Sequence, residues 1–180
     1  MIEIRIHGRG GQGSVTMSEL IAAAAFYSGK FSQGFPFFGV ERRGAPVSAF
    51  VRLADKFIRL RSQIYEPDYI IIQDASLIGS VDVFAGAKTG AVVLLNTKKE
   101  IDKKIIPKGV RLKTINATGL ALEIIGRPIV NTILLGAFAG LTGLIKLEAV
   151  ERVIRERFRG EMAEKNVAAA RKGYEVINNN

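Results

Sequence analysis

The chain opens on a short apolar strand, residues 2–7, that runs straight into four glycines in six positions: Gly8, Gly10, Gly11 and Gly13, with Gln12 among them. A helical pattern over residues 14–28 follows at once. Glycines remove the Cβ atoms that keep a ligand or a neighbouring backbone at a distance, and they permit positive φ. A strand, a glycine turn and a helix N-terminus together aim several N–H groups at one point, which suits phosphate or another anion. The spacing Gly8-x-Gly10-x-x-Gly13 matches the dinucleotide fingerprint. That fingerprint also needs an acidic residue about 20 positions on, to hold a ribose. Residues 30–40 contain no acid, and the first, Glu41, follows an irregular Gly/Pro stretch. Nicotinamide or flavin dinucleotide binding in the usual manner is therefore not expected. Two readings stay open: the glycines touch a phosphate or other ligand, or they only make a tight turn and a close helix–strand contact.

With 180 residues the chain is long enough for one well-packed domain, 1–180, and short for two. It has no cysteine and one histidine, His7. Disulfides, thiolate-held iron–sulfur or zinc sites and multi-histidine metal sites within the chain are thereby excluded. A Ser-His triad would need His7 itself as base, and a lone histidine at a strand end reads as structural. No catalytic residue and no metal ligand is assigned. Net charge +9 suits an anionic partner or cofactor. Nucleic acid is not expected, because no basic strand interleaved with aromatics is present. The most apolar run, 129–145, contains Asn131, Thr132 and Thr142 and is shorter than the ~20 residues of a membrane helix. The opening Met1 to Arg5 carries charge inside its apolar run, unlike a signal peptide. The expectation is a soluble, cytoplasmic protein.

Along the chain, Val47, Ala49, Val51 and Leu53 alternate with polar or outward positions, and the turn 54–56 leads to 57–60, which predicts a β-hairpin. Residues 69–72 and 91–95 are continuous apolar runs of the buried-strand type, and 110–115 is a more alternating strand. Helical pieces are expected between them, at 76–84 and 98–104. The C-terminal third reads as helices over 117–125, 129–141 and 147–158, a break at Gly160, and a last helix with Val167, Ala170, Tyr174 and Ile177 on one face; Pro128 is placed to open the second. Gly136 and Gly140, one turn apart, would let another helix or subunit come close. The fold class is α/β: a Rossmann-like three-layer domain with a largely parallel sheet, a β-hairpin addition and a helical C-terminal third. Asp74, Asn96 and Asn116 fall just past strand ends, where ligands bind in open α/β sheets.

Two charged stretches stand out. Glu41, Arg42, Arg43 and Gly44 lie beside Phe35, Phe37, Phe38 and the rigid Pro46. Arginine forks onto carboxylates and phosphates, so this loop is read as an acidic interface or anion contact, against a plain exposed loop with local ion pairs. Lys98, Lys99, Lys103, Lys104, Lys108, Arg111 and Lys113 concentrate positive charge in one region. That run reads as a solvated surface, with an acidic electron carrier or a nucleotide phosphate as the sharper alternative.

Three ordered motifs resemble one family. Residues Arg5 to Gly13 are similar to the opening of the γ subunit of 2-oxoacid:ferredoxin oxidoreductases. Pro36 to Val47 is similar to its second signature, in the form typical of pyruvate and branched-chain members. Asn116 to Thr118 and Ile125 to Thr132 also follow the pyruvate-type γ pattern. The resemblance implies a subunit of an enzyme that oxidatively decarboxylates a 2-oxoacid with coenzyme A and reduces ferredoxin. It implies that thiamine diphosphate, magnesium and iron–sulfur clusters reside in partner α, β and δ subunits, none being bound by this chain alone. A scaffolding role follows from it, with Gly8, Gly10, Gly11, Gln12 and Gly13 as candidates for coenzyme A phosphate or subunit contact. Glu41, Arg42, Arg43 and Gly44 are the candidate interface. The substrate is expected to be pyruvate, with a branched-chain 2-oxoacid as the alternative; a stand-alone nucleotide-binding oxidoreductase and a non-catalytic regulatory or nucleic-acid-binding module are readings from other classes.

Overall fold

A computed structural model describes residues 1–37 and 43–179. Six strands form one sheet: β1 (Ile2–Arg9), β2 (Phe31–Phe37), β3 (Pro46–Ala54), β4 (Tyr69–Ile72), β5 (Val92–Asn96) and β6 (Arg111–Ile115). Their spatial order is β2-β3-β1-β4-β5-β6. β1, β4, β5 and β6 pair in parallel, while β3 runs antiparallel to both β1 and β2. The described residues also form five α-helices: α1 (Ser14–Tyr27), α2 (Ala117–Ile124), α3 (Asn131–Thr142), α4 (Leu147–Arg157) and α5 (Gly160–Asn178).

The central strands are apolar on both sides because both faces are covered. Ile4, Ile6, Ile71 and Leu94 turn to one face, where all five helices join a single core. Ile70, Ile72, Val93 and Leu95 turn to the other, under Leu77, Val83, Ile101 and Val110. This third layer is not helical. The helix expected at 76–84 is one 3₁₀ turn, Ala75–Leu77, and Gly79 at φ 92° ends it. The helix expected at 98–104 is likewise a 3₁₀ turn, Lys103–Ile105. There, Thr97 Oγ1 accepts from Lys99 N and Asp102 Oδ1 from Lys104 N, local bonds that compete with a helical ladder.

The hairpin exists, but its partner differs from the expected one. β3 pairs with β2, in register from Phe31↔Ala54 to Phe37↔Ser48, and residues 57–60 form no strand. With β1 on its other side, β3 has no free edge to offer them. The segment 55–68 instead wraps over the sheet, burying Ile58 and Ile64 and accepting hydrogen bonds at the carbonyls of Ile58 and Gln63.

The expected strand and helix bounds otherwise hold within a few residues. α3 begins at Asn131, so Pro128 precedes that helix rather than opening it. The small-residue stripe of α3 meets α5. A Cβ on Gly136 would run into the carbonyl oxygen of Ala170, one on Gly140 would meet Tyr174 and Ile177, and one on Gly173 would strike Ile133. The partner these glycines admit is thus α5 of the same chain. Thr132 Oγ1, donating to Asn166 Oδ1 at 2.9 Å, fixes the register of the two helices. Among the described residues, no helix is long and apolar enough to cross a membrane.

Candidate functional site at the carboxyl ends of β1 and β4

β1 leads through α1 to β2 on one side of the sheet, while β4 leads to β5 and β6 on the other. The chain therefore diverges between the carboxyl ends of β1 and β4, and this is where open α/β sheets leave a crevice. The glycine turn occupies it. Gly11 and Gly13 adopt φ 94° and 80°, a region that favours glycine. Gln12 closes the turn: its N–H donates to Arg9 O at 2.9 Å and its Oε1 accepts from Arg9 N at 2.8 Å.

The turn is tied to its surroundings on two sides. Gly10 N donates to Ala45 O at 2.8 Å and Gly44 N to Gly10 O at 3.0 Å, joining it to the segment that enters β3. On the β4 side, Gln12 Nε2 donates to Asp74 Oδ2 at 3.0 Å, and Arg9 Nε lies 3.3 Å from the same oxygen. Arg9 also donates to Ser76 Oγ at 2.7 Å and to Gly44 O at 3.0 Å, so it spans both sides. Burial of Asp74 disfavours its charge, but Ser76, Gln12 and Arg9 together outweigh that and hold its carboxyl below the usual range.

Beyond the turn lies a cleft of about 780 Å³, lined by residues 9–15 with Arg43, Val47 and Ser48. The first turn of α1 faces it without a capping side chain or an acidic residue. The unpaired N–H groups of that turn and the helix dipole make the cleft positive.

The sequence candidates separate in space. Gly10, Gly11, Gln12 and Gly13 line the cleft. Gly8 lies beneath, where a Cβ would overlap Ser14 Oγ and the Gln73 side chain. A Cβ on Gly13 would press on the buried Asn131 amide, whereas one on Gly11 would meet nothing within 4 Å. Arg43 lines the cleft and Gly44 hydrogen-bonds to Gly10 and Arg9; Glu41 and Arg42 lie outside the described residues. Ser48, Gln73 and Ser76 are absent from the sequence candidates, and Asn131 enters there only as part of the third motif. Only Ser76 carries a signal, as the third residue of an Asx turn begun by Asp74.

His7 points away from solvent. Its Nδ1 lies 3.3 Å from Ser48 Oγ, and Nε2 has no hydrogen-bond partner among the described residues. Burial, with the neighbouring Arg5 charge adding to it, pushes its pKa down to about 3, so the ring is neutral at physiological pH.

These features define a Rossmann-like domain with a glycine-turn cleft at its switch point. The chain belongs to the pyruvate ferredoxin/flavodoxin oxidoreductase family, whose pattern matches residues 3–176. It is a γ-type member. It is 56% identical over 174 residues to pyruvate synthase subunit PorC of Methanocaldococcus jannaschii, covering 97% of this chain and 96% of that one. It is 55% identical over 177 residues to the pyruvate/ketoisovalerate oxidoreductases common subunit gamma of Thermococcus kodakarensis, again covering 97% and 96%. The crystal structure of pyruvate oxidoreductase subunit PORC from Thermotoga maritima superposes with a TM-score of 0.86 at 37% identity, over 97% of this chain and 95% of that one. The fold also recurs, at 22% identity and a TM-score of 0.84, within 31% of the longer 2-oxoglutarate:ferredoxin oxidoreductase chain of Magnetococcus marinus.

Proposed function

We propose that this chain is the γ subunit of a multi-subunit pyruvate:ferredoxin oxidoreductase of the cytoplasm, which oxidatively decarboxylates pyruvate with coenzyme A and passes electrons to ferredoxin. The observation that carries this reading is the end-to-end identity of 56% to a pyruvate synthase subunit. The chain's own chemistry supports a scaffolding part. Without cysteine it offers no thiolate to a cluster, and its neutral, buried His7 is a poor acid or base. Thiamine diphosphate, magnesium and the clusters are assigned to the α, β and δ subunits.

The glycine-turn cleft is the part of this chain that faces the active subunits. Backbone N–H groups of the turn and of α1, with Arg43 beside them, hold an anionic group there, a phosphate of coenzyme A or an acidic element of a partner. Glu41, Arg42 and Arg43 form ion pairs at the same interface. Omitting this chain from an otherwise complete reconstituted enzyme is expected to abolish 2-oxoacid-dependent ferredoxin reduction, and adding it back to restore it. Full activity without it would refute the proposal.

A second reading has its own observation. The Thermococcus relative's name makes it common to pyruvate and ketoisovalerate oxidoreductases. One γ chain serving two α/β pairs requires that it contact features both share rather than the substrate side chain. Activity of the same chain with both sets of partners tests this.

A further inference from the structure

The far edge of the sheet carries a surface unrelated to the cleft. β6 is the last strand, and among the described residues nothing pairs with its outer side. Arg111 N donates to Ala91 O and Ile115 O accepts from Thr97 N, so both residues bond inward to β5. Alternation along a strand therefore turns the main-chain groups of Leu112 and Thr114 outward. An open edge of this kind is a template for another strand.

Positive charge is concentrated around that edge. Seven cations and two acids fall between Lys98 and Lys113. All seven cations are exposed, and none forms an ion pair among the described residues. On α4 and α5, by contrast, Arg152, Arg155, Lys165 and Arg171 are each matched to a glutamate, with Arg157 and Lys172 left unpaired among the described residues. Of the two acids, Asp102 is committed to capping Lys104 N. Four of the seven cations, Lys98, Lys99, Lys103 and Lys108, line a groove of about 810 Å³ with Ile101, Ile106, Val110 and Leu112 on its wall.

The geometry points to a docking surface for an acid-rich polypeptide segment, which adds to β6 as a seventh strand, seats apolar side chains in the groove and places its carboxylates among the lysines. Nucleic acid fits less well. Residues 97–114 contain no aromatic side chain to stack on a base, and an apolar groove wall offers nothing to a sugar–phosphate backbone. Strand addition supplies affinity through the main chain and specificity through alternate side chains. The lysines both favour such a partner and keep the open edge from pairing with a second copy of the same basic chain.

The test uses the full chain and a fluorescein-labelled ten-residue peptide of alternating Glu and Val, read by anisotropy. Saturable binding that falls about tenfold or more in Lys103→Glu/Lys108→Glu is expected. Thr114→Pro separates strand addition from charge alone: it removes an outward N–H that has no partner in the free chain, so melting is unchanged while peptide binding falls by a similar factor. Undiminished binding in Thr114→Pro would overturn strand addition. A single-stranded DNA of equal charge binding as tightly as the peptide would overturn the assignment to a polypeptide.

Discussion

Arg9 and Asp74 meet across the crevice between β1 and β4, with Arg9 Nε 3.3 Å from Asp74 Oδ2 and Gln12 bridging the same carboxylate. One contact thus fastens the glycine turn to the next strand of the parallel sheet. Both side chains are about one-quarter exposed, so the pair contributes more to the shape of the turn than to global stability. Asp74→Ala is expected to cost about 1 kcal/mol of stability. It should lower the activity of the assembled enzyme by a larger factor, because the turn loses its anchor. Melting and ferredoxin-reduction assays on the same preparation check this; equal small losses in both would contradict it.

The glycines separate into conformational and packing roles. Gly11→Ala meets no neighbour and should cost about 1–2 kcal/mol, from positive φ alone. Gly136→Ala drives a methyl into the Ala170 carbonyl at the α3–α5 contact, and should cost about 3 kcal/mol by forcing the helices apart. Urea denaturation of the two variants distinguishes the roles.

Arg52 pairs with Glu3 across the β1–β3 register, with Nε donating to Oε1 at 2.9 Å. Arg52 is only 1% exposed, and its Nη1 has no hydrogen-bond partner among the described residues. Removing the arginine leaves the largely buried Glu3 carboxylate with only the Lys88 ammonium, at 4.0 Å, so Arg52→Met should destabilise by about 3 kcal/mol. Arg52→Met with Glu3→Leu should recover most of that loss. A double variant no better than the single one would show that the pair is not the source of the cost.

His7 gives the fold an acid-sensitive element. The unfolded chain takes up a proton near pH 6.5, while the buried ring does so only near pH 3. A depressed histidine stabilises the fold least where the unfolded state binds the extra proton. Stability should therefore fall as pH drops below 6.5, by up to about 1.4 kcal/mol per unit. His7→Gln should flatten the fall between about pH 6.5 and 5.5, above the range where the carboxylates titrate. Parallel slopes in the two proteins would show that the histidine is not responsible.

What could be read from the sequence follows a physical division. The buried strands β4 and β5 are apolar runs with no alternative fate, and the glycine turn announces β1 and α1. Residues 76–84 and 98–104 are compatible with helix by composition, yet Asp74, Thr97 and Asp102 claim the backbone through short-range bonds. The hairpin partner depends on which edge of β3 remains free, a property of the whole sheet. The cleft was legible as a glycine loop, while Gln73 and Ser76, just past β4, and Asn131, at the start of α3, are brought to it only by the fold.

Arg43 lines the cleft without belonging to the core of the chain. Arg43→Ala is expected to leave the melting of the isolated chain unchanged while weakening assembly or raising the coenzyme A concentration needed for half-maximal rate. An unaltered complex with unaltered coenzyme A dependence would remove this arginine from the interface.

The central claim is that the chain acts as one subunit of a 2-oxoacid-oxidising enzyme. Anaerobic purification of the tagged chain from its source cells, with mass spectrometry and a ferredoxin-reduction assay on pyruvate and 2-oxoisovalerate, tests it most directly. Recovery of larger thiamine-dependent subunits and a small ferredoxin-like chain, active on pyruvate, is the predicted result. A chain recovered alone, with no 2-oxoacid-dependent reduction of ferredoxin, would contradict it.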